Sequence, residues 1–378
     1  MTDLRLEAQL APCLAARLGA TDVEVRDLHV PQEGRSGAMI SFSAAWQADG
    51  SRHERKLIAR FPATFELFLE YDLMLEWLAM EALAATAVPV PPLLFHEPDP
   101  AVLGRPFYVM GHVDGRVPQM APSYHVAGFM AEELDEAQRA EAWFSGLAAL
   151  AQLHALDSRK GFAFLRRPHR GARGLDQYLD WVRDWYDWMR SGRTYPIVEA
   201  ALDHLFANKP RDAPDCVLWG DARIGNVIFG DGNRVAALLD WEMAALGPAE
   251  VDLAWWVVMD NLLSEGLEAS RLAGLPDRPE SIAFYERVRG RAVEHIDYYE
   301  IFAALRFALV LIHATERYRS VGLVASDTTF GSNSPPMRLL AQQLGLTVPE
   351  LSPDVRRLMG RPFDERTRAV TSASRCVR

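Results

Sequence analysis

Residues 217–256 read VLWGDARIGNVIFGDGNRVAALLDWEMAALGPAEVDLAWW, and their pattern decides the fold. Val217 and Leu218 form a short apolar entry. Gly220 then permits a tight bend directly before Asp221. Val227, Ile228 and Phe229 make a β-branched and aromatic run. Gly230 to Asn233 are turn formers, and Val235 to Leu239 make a second apolar run. Two short strands about a Gly/Asp/Asn turn predict a hairpin. Such a hairpin returns the loop of Asp221 and Asn226 to the neighbourhood of Asp240, so two carboxylates and one amide meet at one end of a β-ribbon.

That set of groups suits phosphoryl transfer. The reaction asks the protein to position the reactants and neutralise charge, with little covalent chemistry of its own. Mg²⁺ takes hard oxygen ligands and keeps several waters, so one carboxylate and one amide oxygen suffice. Asp240 and Asn226 fit this task. Asp221 is left to orient an acceptor hydroxyl and take its proton. Arg223, two residues on, can reach the transferring phosphoryl.

Gly220-Asp221 with Asn226, then Leu239-Asp240-Trp241-Glu242, then Asp252-Leu253-Ala254-Trp255, resembles the aminoglycoside phosphotransferase and choline kinase group of the protein-kinase-like superfamily. The branch it is most similar to includes the kinase-like domains fused to acyl-CoA dehydrogenases. The resemblance runs from about residue 25 to about residue 348 and implies an α+β, bilobal, protein-kinase-like fold. An N-terminal lobe over 1–113 would hold an antiparallel sheet, one helix and the hinge. A larger, mostly helical C-terminal lobe over 114–378 would hold the catalytic hairpin and the acceptor site, with MgATP between the two lobes. The family carries His where this chain has Trp219. Asp252 matches a residue that supports the catalytic loop, although a carboxylate at a helix start also reads as a cap. Glu242 could add a further carboxylate beside the metal.

Upstream, leucines at 6, 10, 14 and 18 predict a helix closed by Gly19. Strands are expected over 23–30 and 38–46. The turn between them, including Ser36 and Gly37, could lay N–H groups over phosphates. In the strand 55–61 (RKLIARF), Leu57 and Ala59 on one face put Ile58 and Arg60 on the other. A cation on an inner face needs a partner. The resemblance makes Arg60 the phosphate-binding cation, with Lys56 the runner-up. It makes Glu76, on a helix expected over 65–86, the ion-pair partner, with Glu70 and Glu81 as alternatives. It places the adenine-binding hinge at Met110, Gly111, His112 and Val113, the end of an apolar strand read over 106–113.

Downstream, helices are expected over 141–156, 175–189, 281–293, 298–318 and 333–346, with a loop over 116–137 that could line the acceptor site. His154 reads as a structural core histidine, and Arg306 as a residue of either substrate or structure. The aromatic segment 175–189 reads as a pocket wall.

The 378 residues carry a net charge of −11, which disfavours a nucleic-acid partner. Three scattered cysteines at 13, 216 and 376 point to a reducing cytoplasm. No uninterrupted apolar run spans a bilayer, since 301–314 is broken by Arg306. The expectation is an ATP- and Mg²⁺-dependent small-molecule kinase acting on a hydroxyl. Aminoglycosides, choline-like amines, sugars, macrolides and hydroxyacyl thioesters all stand as acceptors. A nucleotide- or ligand-binding pseudoenzyme is the alternative, favoured by Trp219. Protein kinase activity ranks below both, because Asp240-Trp241-Glu242 lacks the Gly of Asp-Phe-Gly.

Overall fold

The computed structural model describes residues 3–29, 39–62 and 67–354. The chain divides into two units: Met1–Glu66, Glu70–Gly115 and Ala236–Glu242 form the first, and Leu67–Leu69, Arg116–Val235 and Met243–Arg378 the second. Ala236–Glu242, far along the chain, belongs with the first unit.

The first unit is a helix-covered antiparallel sheet. Helix α1 (Asp3–Leu18) precedes β1 (Thr21–His29), β2 (Met39–Ala48) and β3 (Ser51–Arg60), followed by α2 (Leu73–Leu83), β4 (Leu93–Glu97) and β5 (Phe107–Gly111). The strand order is β1-β2-β3-β5-β4. The period of two in β3 does what its sequence requires. Leu57, Ala59 and the following Phe61 enter a core with Leu6, Leu10 and Leu14 of α1 and with Phe42, Phe95, Phe107 and Val109. Arg60, of opposite parity, pairs across the ladder with Tyr108 of β5. Arg17, in the last turn of α1, fastens the helix to β4. Its Nε and Nη2 donate to the two Glu97 oxygens at 2.8 and 2.9 Å, and these bonds hold the Glu97 carboxyl below its usual range.

Helix α2 is shorter than the apolar run predicts. Asp72 has extended backbone and accepts the Met74 N–H at 2.9 Å, so the helix starts at Leu73. Glu70, with φ +62°, lies in the left-handed region, which no helix continues through.

The second unit is mainly helical. Helices α3 (Phe129–Glu132), α4 (Glu136–His154), α5 (Gly174–Met189) and α6 (Pro196–Ala207) lead to β6 (Cys216–Leu218), β7 (Val227–Phe229), β8 (Val235–Leu238) and β9 (Ala245–Gly247). Helices α7 (Glu250–Leu263), α8 (Arg278–Arg289), α9 (Ile296–Ser320) and α10 (Pro335–Gln343) follow. Helix α4 starts five residues before its apolar pattern. Asp135 and Gln138 form a reciprocal capping box that satisfies the orphan N–H groups there. Helix α6 has no counterpart among the helices expected from the sequence. Strand β6 pairs with β9, joining Cys216 to Gly247 and Leu218 to Ala245, and β7 pairs with β8 as the expected hairpin.

Helix α9 has the length and hydropathy of a membrane span, which the interrupted apolar run does not suggest. In this fold 72% of that window is buried, and the helix packs on α7, α6 and α10. Helices α4 and α7 approach so closely that a Cβ on Gly146 would lie 2.4 Å from the Trp256 ring.

Candidate active site

In the first unit the chemistry gathers around Arg60, which is 5% exposed. Its Nε and Nη2 donate to the two Glu76 oxygens, each at 3.2 Å. Asp240 Oδ1 lies 3.7 Å and Glu242 Oε2 4.0 Å from Nη2. The structure therefore brings Arg60, Glu76, Asp240 and Glu242 together. Tyr71 and Tyr108 also donate to Glu76, at 2.8 and 3.0 Å. Burial alone would push the Arg60 guanidinium down. The carboxylates of Glu76 and then Asp240 outweigh it and hold the group well above its ordinary value. Burial, then Glu76, pushes both tyrosines up. Asp240 has φ +64°, a left-handed conformation uncommon for a non-glycine residue and frequent at functional sites. The alternatives Lys56, Glu70 and Glu81 are all exposed.

Met110 and Gly111 end β5, and the hinge positions His112 and Val113 follow. The Gly111 N–H donates to the Pro92 carbonyl at 2.8 Å and the His112 N–H to the Lys56 carbonyl at 2.9 Å. The His112 ring lies 3.4 Å from Asp114 at the surface. Ser36 and Gly37 lie outside the described residues.

In the second unit, Asp221 is the centre of a hydrogen-bond set. Oδ1 accepts the Trp255 indole N–H at 2.8 Å, and Oδ2 accepts the Asn226 amide at 2.6 Å. Arg223 Nε donates to both oxygens, at 3.1 and 2.9 Å. The Asn226 nitrogen also reaches the Asp221 carbonyl at 3.1 Å. With its nitrogen committed, the amide oxygen is the end left to take a cation. Among the described residues no cluster of three or more His, Cys, Asp or Glu forms a richer metal site. Met120, from the segment between the hinge and α3, touches Arg223. A Cβ on Gly225 would lie 2.6 Å from Arg223 Nη1, so glycine makes room for the guanidinium.

The backbone before Asp221 is clamped. Asp252, fully buried on the first turn of α7, accepts the N–H groups of Trp219 and Gly220 at 2.7 and 2.9 Å. It caps nothing on its own helix, whose N-cap is Ala249. His154 Nε2 lies 3.1 Å from Asp252, and its Nδ1 lies 2.6 Å from the Tyr285 hydroxyl. The buried carboxylate thus accepts on one side from the loop and on the other from the histidine. Gly220 has φ +87°, and an added Cβ would stand 2.0 Å from the Met243 carbonyl oxygen. Trp219 is fully buried.

Trp255 is the site residue that sequence reasoning quotes without a role. Its spacing was a usable signal: three residues after Asp252 on a helix, it shares that residue's face. His154, expected as a core histidine, is one, and its partner is the loop-holding Asp252.

The chain is similar to three sets of known proteins. Acyl-CoA dehydrogenase family member 11 of Rattus norvegicus is 28% identical over 249 residues, 61% of this chain and 29% of that protein. Probable acyl-CoA dehydrogenase IBR3 of Arabidopsis thaliana is 26% identical over 338 residues, 82% of this chain and 39% of that protein. The chain therefore spans well under half the length of these relatives. Among solved structures, a putative aminoglycoside phosphotransferase from Ralstonia eutropha has a TM-score of 0.65 at 22% identity, covering 89% of this chain and 96% of that one. A thermostable mutant of aminoglycoside phosphotransferase APH(4)-Ia, in a ternary complex with ADP and hygromycin B, has a TM-score of 0.56 at 15% identity, over 89% of this chain and 98% of that one. These likenesses establish the kinase-like fold. The model of the Phosphotransferase enzyme family matches residues 40–290, a span that holds Arg60, Glu76, Asp221, Asn226, Asp240 and Asp252, and the chain belongs to that family.

Proposed function

We propose that this protein is a small-molecule kinase that moves the γ-phosphoryl of ATP, with Mg²⁺, to a hydroxyl. The observation that carries the reading is Asp221, a carboxylate held by three separate donors in a glycine-permitted loop. A base so held can orient an acceptor hydroxyl without reorganising. In the proposed step the hydroxyl oxygen bonds to the γ-phosphorus, its proton passes to Asp221, and the bond to the ADP oxygen breaks. Arg223 exchanges its Asp221 contact for the transferring phosphoryl and offsets the charge that develops there. Arg60, set by Glu76, faces the nucleotide phosphates. Asn226 and Asp240 would hold Mg²⁺, which when bound neutralises phosphate charge.

A hydroxyacyl thioester is the first acceptor class to test. The curated relatives that cover most of this chain are named acyl-CoA dehydrogenases, which favours it over an antibiotic. We place the protein in the cytoplasm, in keeping with the free, buried thiols of Cys13 and Cys216.

The test has two parts. Melting temperature is compared in buffer, in ATP and in ATP plus Mg²⁺, because a ligand of the folded state must raise it. ADP release is then followed against an acceptor panel, for wild type and Asp221→Asn. We expect a Mg²⁺-dependent rise in both proteins and a loss of about 10²- to 10⁴-fold in turnover for the variant. No nucleotide-dependent rise at millimolar ATP sinks the reading. A rise with no turnover on any acceptor favours the pseudoenzyme, and Trp219→His is then the first reversion.

A further inference from the structure

Arg306 lies in the middle of α9 with its side chain wholly inside the second unit, at 0% exposure. Among the described residues it forms no ion pair, and its Nε and Nη1 have no hydrogen-bond partner. Its cation is met instead by aromatic faces. The guanidinium carbon lies 4.1 Å from the Trp255 ring centroid, 4.9 Å from that of Tyr178 and 5.7 Å from that of Phe302. Its single strong hydrogen bond runs from Nη2 to the carbonyl oxygen of Gly220. Met243 Sδ is a weaker contact at 3.9 Å.

A buried cation without a carboxylate is an expensive way to fill a core. A leucine or methionine would pack α9 against α7 with no desolvation cost. Two of the groups that Arg306 engages are one step from Asp221. Gly220 is the residue before it in the chain, with its N–H already taken by Asp252. Trp255 donates its indole N–H to Asp221 Oδ1. Asp252 therefore holds this peptide by its N–H groups, Arg306 holds it by its carbonyl, and Trp255 joins the second clamp to the carboxylate.

We propose that Arg306 is a positioning residue for phosphoryl transfer: its guanidinium fixes the Gly220 carbonyl and the Trp255 indole, and through them the aim of Asp221. This rests on the reading of Asp221 as the base. Planarity matters as well as charge. A guanidinium can lie flat on a ring while one N–H points at a carbonyl, which an ammonium cannot do. A small misplacement of a base costs turnover steeply.

The test compares wild type, Arg306→Met, Arg306→Lys, Trp255→Phe and the double variant Arg306→Met/Trp255→Phe. Each is assayed for ADP formation from MgATP, with water as acceptor where no better one is in hand. Melting temperature is measured in parallel. We expect Arg306→Met to lower kcat at least tenfold, with the KM for MgATP within twofold of wild type. Arg306→Lys, which keeps the charge and one donor, should retain more kcat than Arg306→Met while melting no higher. That opposite ranking of turnover and stability separates positioning from core filling. The double variant should lose less than the product of the single losses, since both act on one carboxylate. Unchanged kcat in Arg306→Met, or losses that only follow the folded fraction, overturn the proposal.

Should wild type show no turnover with any acceptor, the kinase reading fails, and the clamp is judged separately. The Trp255 indole N–H resonance, assigned from Trp255→Phe, must then move in Arg306→Lys. If it stays in place, the clamp fails too.

Discussion

Arg60 and Arg306 are each buried, one in either unit, and their charges are met by opposite means. Arg60 faces Glu76, Asp240 and Glu242, and its principal partner Glu76 accepts two further tyrosine hydroxyls. Arg306 faces three aromatic rings and one backbone carbonyl. The first arrangement is an ion-pair network, in which each charge is there because of the other. The second puts a lone cation against ring quadrupoles, which ask for no counter-charge. The proposed function accounts for the difference: on that reading, a cation meant for phosphates is held by acids that also face the nucleotide. A cation next to the proposed base cannot be given a carboxylate of its own without drawing it away from the loop it holds.

Removing the acid should expose the contrast most strongly. Glu76→Ala leaves Arg60 buried beside more distant acids and leaves two tyrosine hydroxyls without their acceptor. A loss of about 3–5 kcal/mol is expected by chemical denaturation. A loss under about 1 kcal/mol would mean that Asp240 and Glu242 alone can hold the cation, and the comparison would break.

Gly220→Ala probes the other unit. With φ +87° and a Cβ 2.0 Å from the Met243 oxygen, the change should cost about 2–4 kcal/mol and remove turnover, because the strained peptide carries Asp221. Tyr178→Leu takes away one of the three rings around Arg306. Since rings share the cation, the loss should be only about 1 kcal/mol. A cost as large as that of Glu76→Ala would show that the aromatic cage is as tightly coupled as the ion-pair network.

The smallest effect concerns acid. Asp260 is buried, and burial by itself would raise its pKa. The His125 ring, 3.2 Å away, and then the Arg271 charge outweigh this and hold the carboxyl below its ordinary value of 3.8. A depressed carboxylate contributes stability that is present above pH 3.8 and is lost as pH falls from there through the folded value. Asp260→Asn should therefore flatten the acid limb of a stability–pH curve below about pH 4, with the curve otherwise parallel. An unchanged acid limb would remove this carboxylate from the account.

Much of this was legible in the chain. The alternation in 55–61 placed Arg60 opposite Leu57 and Ala59, as the sheet has it. The turn formers at 230–233 placed the hairpin, and the helical periods of α5, α8, α9 and α10 were readable within a few residues. Local chemistry overrode pattern where caps and turns intervened. Asp72 and Glu70 delayed α2, and Asp135 advanced α4. Strand β9 was not readable, because three residues of Ala245–Gly247 carry no period, and only pairing with β6 makes them a strand.

What the sequence by itself determined is the set of short-range relations: which residues share a strand face, where a glycine must bend the chain, and how Asp221 and Asn226 are spaced in one loop. Those follow from periods of 2 and 3.6 and from allowed backbone angles. Tertiary structure alone decided what holds the loop around Asp221. The Trp255 N–H reaches Asp221 across 34 residues, Asp252 reaches Trp219 across 33, and Arg306 reaches Gly220 across 86. Burial makes a partner valuable to each such polar group, but which partner is set by how the helices pack, and no local pattern encodes that choice.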